Sequence, residues 1–271
     1  MSDVLEHNRQ VWDIQSRSGT NRWCEPVSEA VIAAARQGDW EVHLTPNRPV
    51  PGDWFGGVSG KRVLCLASGG GQQAPVLAAA GARVTSLDVS EEQLAKDDQV
   101  ARREGLDIEL VQTGMADLSA FPDQHFDLIF HPVANVFAEA VRPVWLECYR
   151  VLVGSGRLLA GFMNPDFFLF DHDAMEAGAA PEIAFRLPYS DTRDLEPAKL
   201  QRRRERMESL EFSHSLDDQL GGQLQAGFII AGFYEDWWED DATPLNAYMP
   251  TSMATLAIKQ QPTTQRQAHH V

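Results

Sequence analysis

The stretch VLCLASGGGQQAPVLAAAGARVTSLD, residues 63–88, carries the spacing most suggestive of chemistry in this chain. A hydrophobic run leads into Ala67, Ser68 and three successive glycines, Gly69 to Gly71, and then through Gln72 into a small-residue helix. A strand that ends in a bare turn and restarts as a helix aims backbone N–H groups at a ligand. At Ala67, Gly69 and Gly71 such a ligand would touch main chain where a larger side chain would collide. Asp88, nineteen residues beyond Gly69, closes the next predicted strand. From that position a carboxylate accepts the two hydroxyls of a ribose. The pair of features serves NAD, FAD and S-adenosylmethionine alike. The spacing Gly69, Gly71, Ala74 even satisfies the dinucleotide pattern G-x-G-x-x-G/A.

Two further groups of polar residues invite a catalytic reading. His131, Pro132 and Asn135 follow the strand FDLIFH, where His131 would take a proton or orient an acceptor and Asn135 would hydrogen-bond it. The plainer alternative is a strand-end histidine satisfied by backbone and an asparagine that caps a helix. The stretch EFSHSLDDQLGGQL, 211–224, gathers Ser213, His214, Asp217, Asp218 and Gln219. With NPDFFLFDH, 164–172, it would form an acceptor pocket; otherwise it is a helix whose acidic first turn complements its dipole. His131, His172 and His214 lack the local spacing of metal ligands, so no metal is expected. Cys24, Cys65 and Cys148 are odd in number and equally without ligand spacing, which predicts reduced thiols in a cytoplasmic protein.

The elements that must position these residues are legible as alternating strands and helices. RVLCLA, RVTSLD, IELVQT, FDLIFH and RLLAGFM predict strands. Helices are predicted from Gln73 to Ala80, over SEEQLAKDDQVARREG, and from Arg142 through VRPVWLECYRVL to a GSG turn. This alternation argues a parallel sheet with helices on both faces. Ahead of it come an amphipathic helix with Val4, Val11, Trp12 and Ile14 as apolar members, a second helix between Pro26 and Gly38, and an ordered loop over 41–60. SLDDQLGGQLQAGF then predicts a helix, and IIAGFYED and MATLAIKQ two closing strands. A formal charge of −16 repels phosphate backbones, and the one basic cluster, QRRRERMESLE, mixes Arg with Glu at helical spacing and predicts a solvated helix face. No window approaches a membrane span, and residues 1–15 are unlike a signal or transit peptide. A small molecule is therefore the expected partner, with neither nucleic acid nor membrane; the sequence does not set the oligomeric state.

From 61 to 163 the chain resembles the class I S-adenosylmethionine-dependent methyltransferases. Gly69 and Gly71 match the glycines of their first motif and Asp88 the acidic end of their second strand. MADL before FPDQHFDLI matches the adenine-side loop, and YRVLVGSGRLL the helix–turn–strand that usually reads R-V-L-k-p-G-G. The resemblance implies a doubly wound, Rossmann-like sheet of seven strands, mostly parallel, with an antiparallel last strand and helices on both faces. It divides the chain into an N-terminal helical lid (1–60), a cofactor-binding core (61–163), a substrate cap (164–210), completion of the core (211–260) and a disordered tail (261–271). S-adenosylmethionine would lie against Trp12, Ala67, Ser68, Gly69, Gly71 and Gln72, then against Asp88, Val89 and Gln93, and finally against Met115, Ala116, Asp117 and His131. His131, Asn135 and His214 would serve the acceptor, a small thiol, amine or hydroxyl, leaving S-adenosylhomocysteine as product. In relatives of this kind an opening helix closes over the cofactor, which NRQVWD would supply. Trp23 and Trp40 would wall the substrate, against the favoured reading of plain hydrophobic packing for Trp40 and Trp54. Three positions depart from the pattern: Cys65 where an acid is frequent, Ala67 where glycine is frequent, and Gly114 where Asp is frequent. The methionine ammonium would then fall to main-chain carbonyls near Ala67. An NAD(P)-dependent oxidoreductase and a catalytically silent S-adenosylmethionine-binding protein are the alternatives.

Overall fold

A computed structural model describes residues 2–19 and 21–261. Helix α1 (Asp3–Ser18) is set by Ser2, whose side chain accepts the Leu5 N–H, by Asp3 and Glu6 in the first turn, and by left-handed Gly19 at its end. Val4 and Val11 are buried as expected, but Ile14 is 44% exposed. The inward face buries Asn8, Asp13 and Ser16 instead, so α1 docks through hydrogen bonds rather than an apolar stripe. Helix α2 (Glu29–Arg36) is capped by Ser28, two residues after Pro26. Within the loop over 41–60, α3 (Gly52–Phe55) forms a single turn.

The alternating core then follows the expected order: β1 (Arg62–Leu66), α4 (Gln73–Ala79), β2 (Arg83–Asp88), α5 (Glu91–Glu104), β3 (Ile108–Gln112), β4 (Phe126–His131), α6 (Arg142–Val151) and β5 (Leu152–Met163). One boundary differs. The GSG segment lies inside β5 as a bulge, where pairing with β4 jumps from Phe126↔Leu152 to Leu128↔Arg157 and Ser155 takes a φ of 66°. After β5 come α7 (His172–Glu176), α8 (Asp191–Asp194) and α9 (Pro197–Glu205). The helix expected before β6 is a π turn, Asp217–Gly221, continued by α10 (Gly222–Ala226). Strands β6 (Phe228–Asp236) and β7 (Ser252–Lys259) end the sheet.

The seven strands run in the order β3-β2-β1-β4-β5-β7-β6, with β1 to β5 parallel and β7 antiparallel to both its neighbours. Both faces of the central strands are buried, and alternation along a strand assigns the side chains. Val63 and Cys65 of β1 pack with α2 and α4. Leu64 and Leu66 pack with Val144, Trp145 and Cys148 of α6. Because β1 pairs with both β2 and β4, the chain reverses its direction of winding there, and the loops leaving β1 and β4 splay apart into a crevice. No described helix is long and apolar enough to cross a membrane. All but the first residue of the expected tail, 261–271, falls outside the described residues.

Candidate active site

A cavity of about 760 Å³ opens in that crevice, outside the carboxyl ends of the strands. Its floor is the turn after β1. Ala67 sits at φ 48°, a left-handed conformation that favours glycine, and is held there by its N–H bond to Leu87 O at 2.7 Å. Gly70 is glycine for a different reason. At φ 121° a Cβ would stand 2.4 Å from Trp23 O, because residues 21–26 cross directly over the turn. Gln72 fastens this strap by donating to Arg22 O and Glu25 O. Ala67, Ser68, Gly69 and Gln72 all line the cavity, and so does Trp23 of the strap. Gly71 does not. Its N–H goes to Asp97, its Cβ position is filled by Pro26, and its role is to let the strap approach.

Asp88 reaches the floor from the end of β2. Its carboxylate accepts Gly69 N–H at 3.1 Å and Ser90 N–H at 2.9 Å, which leaves lone pairs for a ligand. Burial, with a smaller push from Asp13, lifts its pKa to about 6. Beneath it, burial lifts Asp97 to about 7 even though Ser86 Oγ and Gly71 N–H both donate to it. Val89, Gln93 and Met115 complete this half, with Trp12 of α1 set edge-on against Phe137. Ser68 Oγ and Gln93 Oε1 are buried without a hydrogen-bond partner among the described residues. Two stranded polar atoms beside a half-satisfied carboxylate suit a ligand rich in hydroxyl and amine groups, which is what the adenosyl and amino-acid parts of S-adenosylmethionine present. Ala116 and Asp117 are corrections: both are exposed and off the cavity, and Asp117 is spent capping Ser119.

His131, Asn135 and His214 are also placed differently from expectation. All three are buried behind the cavity wall formed by Pro132, Val133 and Ala134. The cause is strand alternation: His131 shares the face of Ile129, which looks toward α6, and stacks edge-on against Trp145. Its Nδ1 lies 2.8 Å from Leu66 O and its Nε2 2.7 Å from the Asn135 amide, which in turn meets Gln219 at 3.0 Å. Burial holds the imidazole below its usual pKa, hence neutral. Asn135 Oδ1 faces Nε2, and Asn135 Nδ2 donates to Gln219 Oε1. A neutral ring carries one N–H, so it satisfies both neighbours only with the Asn135 and Gln219 amides both turned over. His214, similarly neutral, donates from Nε2 to Asn135 O at 3.0 Å. The three brace the wall rather than face the cavity.

The opposite half, the ceiling, comes from 164–211. Phe167, Phe168 and Phe170 line it, with Phe185 and Tyr189. Lys199 pairs with Asp171 and Asp173, and Arg203 with Asp191, which is 1% exposed and also accepts the Tyr189 hydroxyl at 2.5 Å. The basic cluster is thus only partly a solvated face, since its Arg203 lines the cavity, as does Lys199 just ahead of it. Sequence reading missed Asn8, Tyr189, Asp191, Arg203 and Glu211 as lining residues. The signal available was position: Glu211 opens the stretch singled out for its polar density. Trp40 and Trp54 belong to the core and not to a substrate wall, packing on Phe55 and Tyr234. No three described His, Cys, Asp or Glu residues could hold a metal ion.

The fold and site together define a nucleoside-cofactor-binding α/β enzyme. Residues 64–160 match the family described as methyltransferase domain. Over 259 residues the chain is 49% identical to the uncharacterized methyltransferase YbaJ of Bacillus subtilis (strain 168), spanning 96% of this chain and all of that one. Among solved structures, an S-adenosylmethionine-dependent methyltransferase from Mesorhizobium loti superposes with a TM-score of 0.56 at 20% identity, covering 74% of this chain and 92% of that one. The Burkholderia thailandensis 1,6-didemethyltoxoflavin-N1-methyltransferase, solved with 1,6-didemethyltoxoflavin and S-adenosylhomocysteine, gives 0.55 at 15% identity over 96% and 92%. At such identity these two likenesses speak for the fold. The chain belongs to the class I S-adenosylmethionine-dependent methyltransferases.

Proposed function

We propose that this protein transfers the methyl group of S-adenosylmethionine to a small-molecule acceptor in the cytoplasm, with the floor of the cavity as cofactor site and the ceiling as acceptor site. The observation that carries the assignment of the floor is the pair of buried, unpartnered atoms, Ser68 Oγ and Gln93 Oε1, beside Asp88 at the winding reversal. In this reading Asp88 accepts the ribose hydroxyls, Val89 and Met115 flank the adenine, and the turn Ala67–Gly69 with Trp12 receives the methionine end. When bound, S-adenosylmethionine supplies a methyl group already activated by its sulfonium. The chain's own residues then have to bind, orient and exclude water. The aromatic ceiling and the Pro132–Ala134 wall would keep the acceptor dry, and the His131–Asn135–Gln219 network would hold that wall in register. His131, Asn135 and His214 are therefore positioning residues. Family membership leaves the nicotinamide reading without support.

Calorimetric titration of the purified chain with S-adenosylhomocysteine and, separately, with NAD tests the assignment. Saturable binding of the first and none of the second is expected. No binding of S-adenosylhomocysteine at millimolar concentration, or a preference for NAD, would remove the cofactor site. Binding without turnover across thiol, amine and hydroxyl acceptors would favour the catalytically silent protein.

A further inference from the structure

The ceiling carries an asymmetry of charge that the cofactor site does not use. Its two cations are consumed locally: Lys199 by Asp171 and Asp173, and Arg203 by Asp191. Glu211 lines the same space, and its carboxylate makes no hydrogen bond or ion pair among the described residues. Its backbone N–H, not its side chain, is tied to Asp191 Oδ2 at 2.8 Å. Phe167, Phe168, Phe185 and Tyr189 line the same space. Phe168 stacks on Tyr189 with ring centres 5.8 Å apart. Glu176 and Asp241 also line the cavity without partners among the described residues, but both are exposed, whereas Glu211 is half-buried beside the rings. Aromatic faces beside such a carboxylate fit a particular chemistry. The rings attract cations through their faces, and the carboxylate has no internal partner to give up on binding.

We propose that the ceiling binds an acceptor that carries a protonated amine on an apolar body, and that Glu211 is the carboxylate that receives its N–H. This rests on the methyltransferase reading and narrows its acceptor to a molecule that bears an ammonium group. The ammonium, which has no lone pair, is the anchor and not the atom that takes the methyl group. Anions are disfavoured by the same arrangement, since Asp173 and Glu176 of α7 and Asp191 of α8 add to the negative field at Glu211, while Arg203 of α9 opposes it and Lys199 of α9 is already paired with Asp171 and Asp173. Burial and the nearby Asp191 lift the Glu211 pKa to about 7. Glu211 in the free protein therefore gains charge as pH rises through neutrality. Of the other titratable groups here, Tyr189 is pushed upward by burial and by Asp191 and stays protonated, burial holds His172 below its usual value, and Asp171 and Asp173 keep Lys199 charged against its burial.

The test is calorimetric titration at pH 8 of the full chain, saturated with S-adenosylhomocysteine. The probes are tryptamine, its neutral analogue tryptophol and its anionic analogue indole-3-propionate. Tryptamine is expected to bind roughly tenfold more tightly than tryptophol, and indole-3-propionate more weakly than either. Glu211→Gln should bring tryptamine to the affinity of tryptophol while S-adenosylhomocysteine binding stays within about twofold. Wild-type affinity for tryptamine should rise several-fold from pH 6 to pH 8, and the rise should vanish in Glu211→Gln. Equal or tighter binding of either analogue, binding of none of the three, or a variant that keeps the amine preference overturns the proposal. Should Glu211→Gln fail to fold, the wild-type ranking and its pH dependence decide alone. Failure of S-adenosylhomocysteine to bind would count against the cofactor site instead, and the amine ranking would then be read without it.

Discussion

The two halves of the cavity are built on opposite principles. The floor is main chain: a turn of small residues and strand ends, held by backbone bonds such as Ala67 N–H to Leu87 O and by buried acids beneath it. The ceiling is side chain: short helices, stacked rings and ion pairs that link residues distant in sequence. A floor of this kind suits a ligand whose shape is fixed, because backbone cannot change its chemistry by mutation. A ceiling of side chains is free to be rewritten for a different acceptor while the floor stays as it is.

This contrast breaks most visibly at Arg203. Truncation by Arg203→Ala leaves Asp191, 1% exposed, without its cation and should cost about 3 kcal/mol of stability, read by urea denaturation. S-adenosylhomocysteine affinity of the folded variant should stay within about twofold. A large loss of cofactor binding would mean that the halves are not separable. On the floor, Asp88→Ala should weaken S-adenosylhomocysteine at least tenfold by calorimetry, since a charge-assisted hydrogen bond contributes roughly 1.5 to 3 kcal/mol. Unchanged affinity would take Asp88 out of the site.

Two smaller effects sharpen the picture of the floor. Asp97 holds its proton in the folded chain up to about pH 7, against 3.8 for the free side chain. The native state therefore binds more protons than the unfolded one between those values. The resulting stabilisation is full below pH 4 and is lost as pH rises through about 7. Asp97→Asn should flatten the decline of melting temperature between pH 5 and pH 8 relative to wild type; parallel curves would contradict the burial of a titrating acid there. Smallest of all, Ala67→Gly relieves a left-handed alanine and should raise stability by about 1 kcal/mol or less, partly offset by unfolded-state entropy. A clear destabilisation would show that the Ala67 methyl group packs usefully.

The floor was legible in the sequence because its determinants are local. The strand–turn–helix of 63–79 and the acid closing β2 follow from consecutive residues, and the sheet order and closing antiparallel strand agree with the family resemblance. His131 was misplaced by an error of face rather than of element. Strand β4 was identified correctly, yet Ile129 and His131 point to α6 while Leu128 and Phe130 point to the other side. Alternation alone does not say which side holds the ligand. The ceiling was far less legible, because Arg203, Asp191 and Glu211 meet only through tertiary packing of short helices. Charge spacing along QRRRERMESLE reports a helix and not which arginine turns inward. Asn8 and Asp13 were hidden for a related reason: polar residues on an opening helix read as solvent-facing, whereas here they are its docking contacts.

Helix α1 touches both halves at once. Asn8 bonds to Phe137 and to Leu210 of the ceiling segment, and five residues later Asp13 takes the Ser90 hydroxyl beside the floor. A rod pinned at two points transmits any shift from one pin to the other. Thermodynamic reciprocity then requires that whatever factor cofactor occupancy adds to acceptor affinity, acceptor occupancy returns to the cofactor, so the two ligands cannot bind as strangers if either one moves that rod.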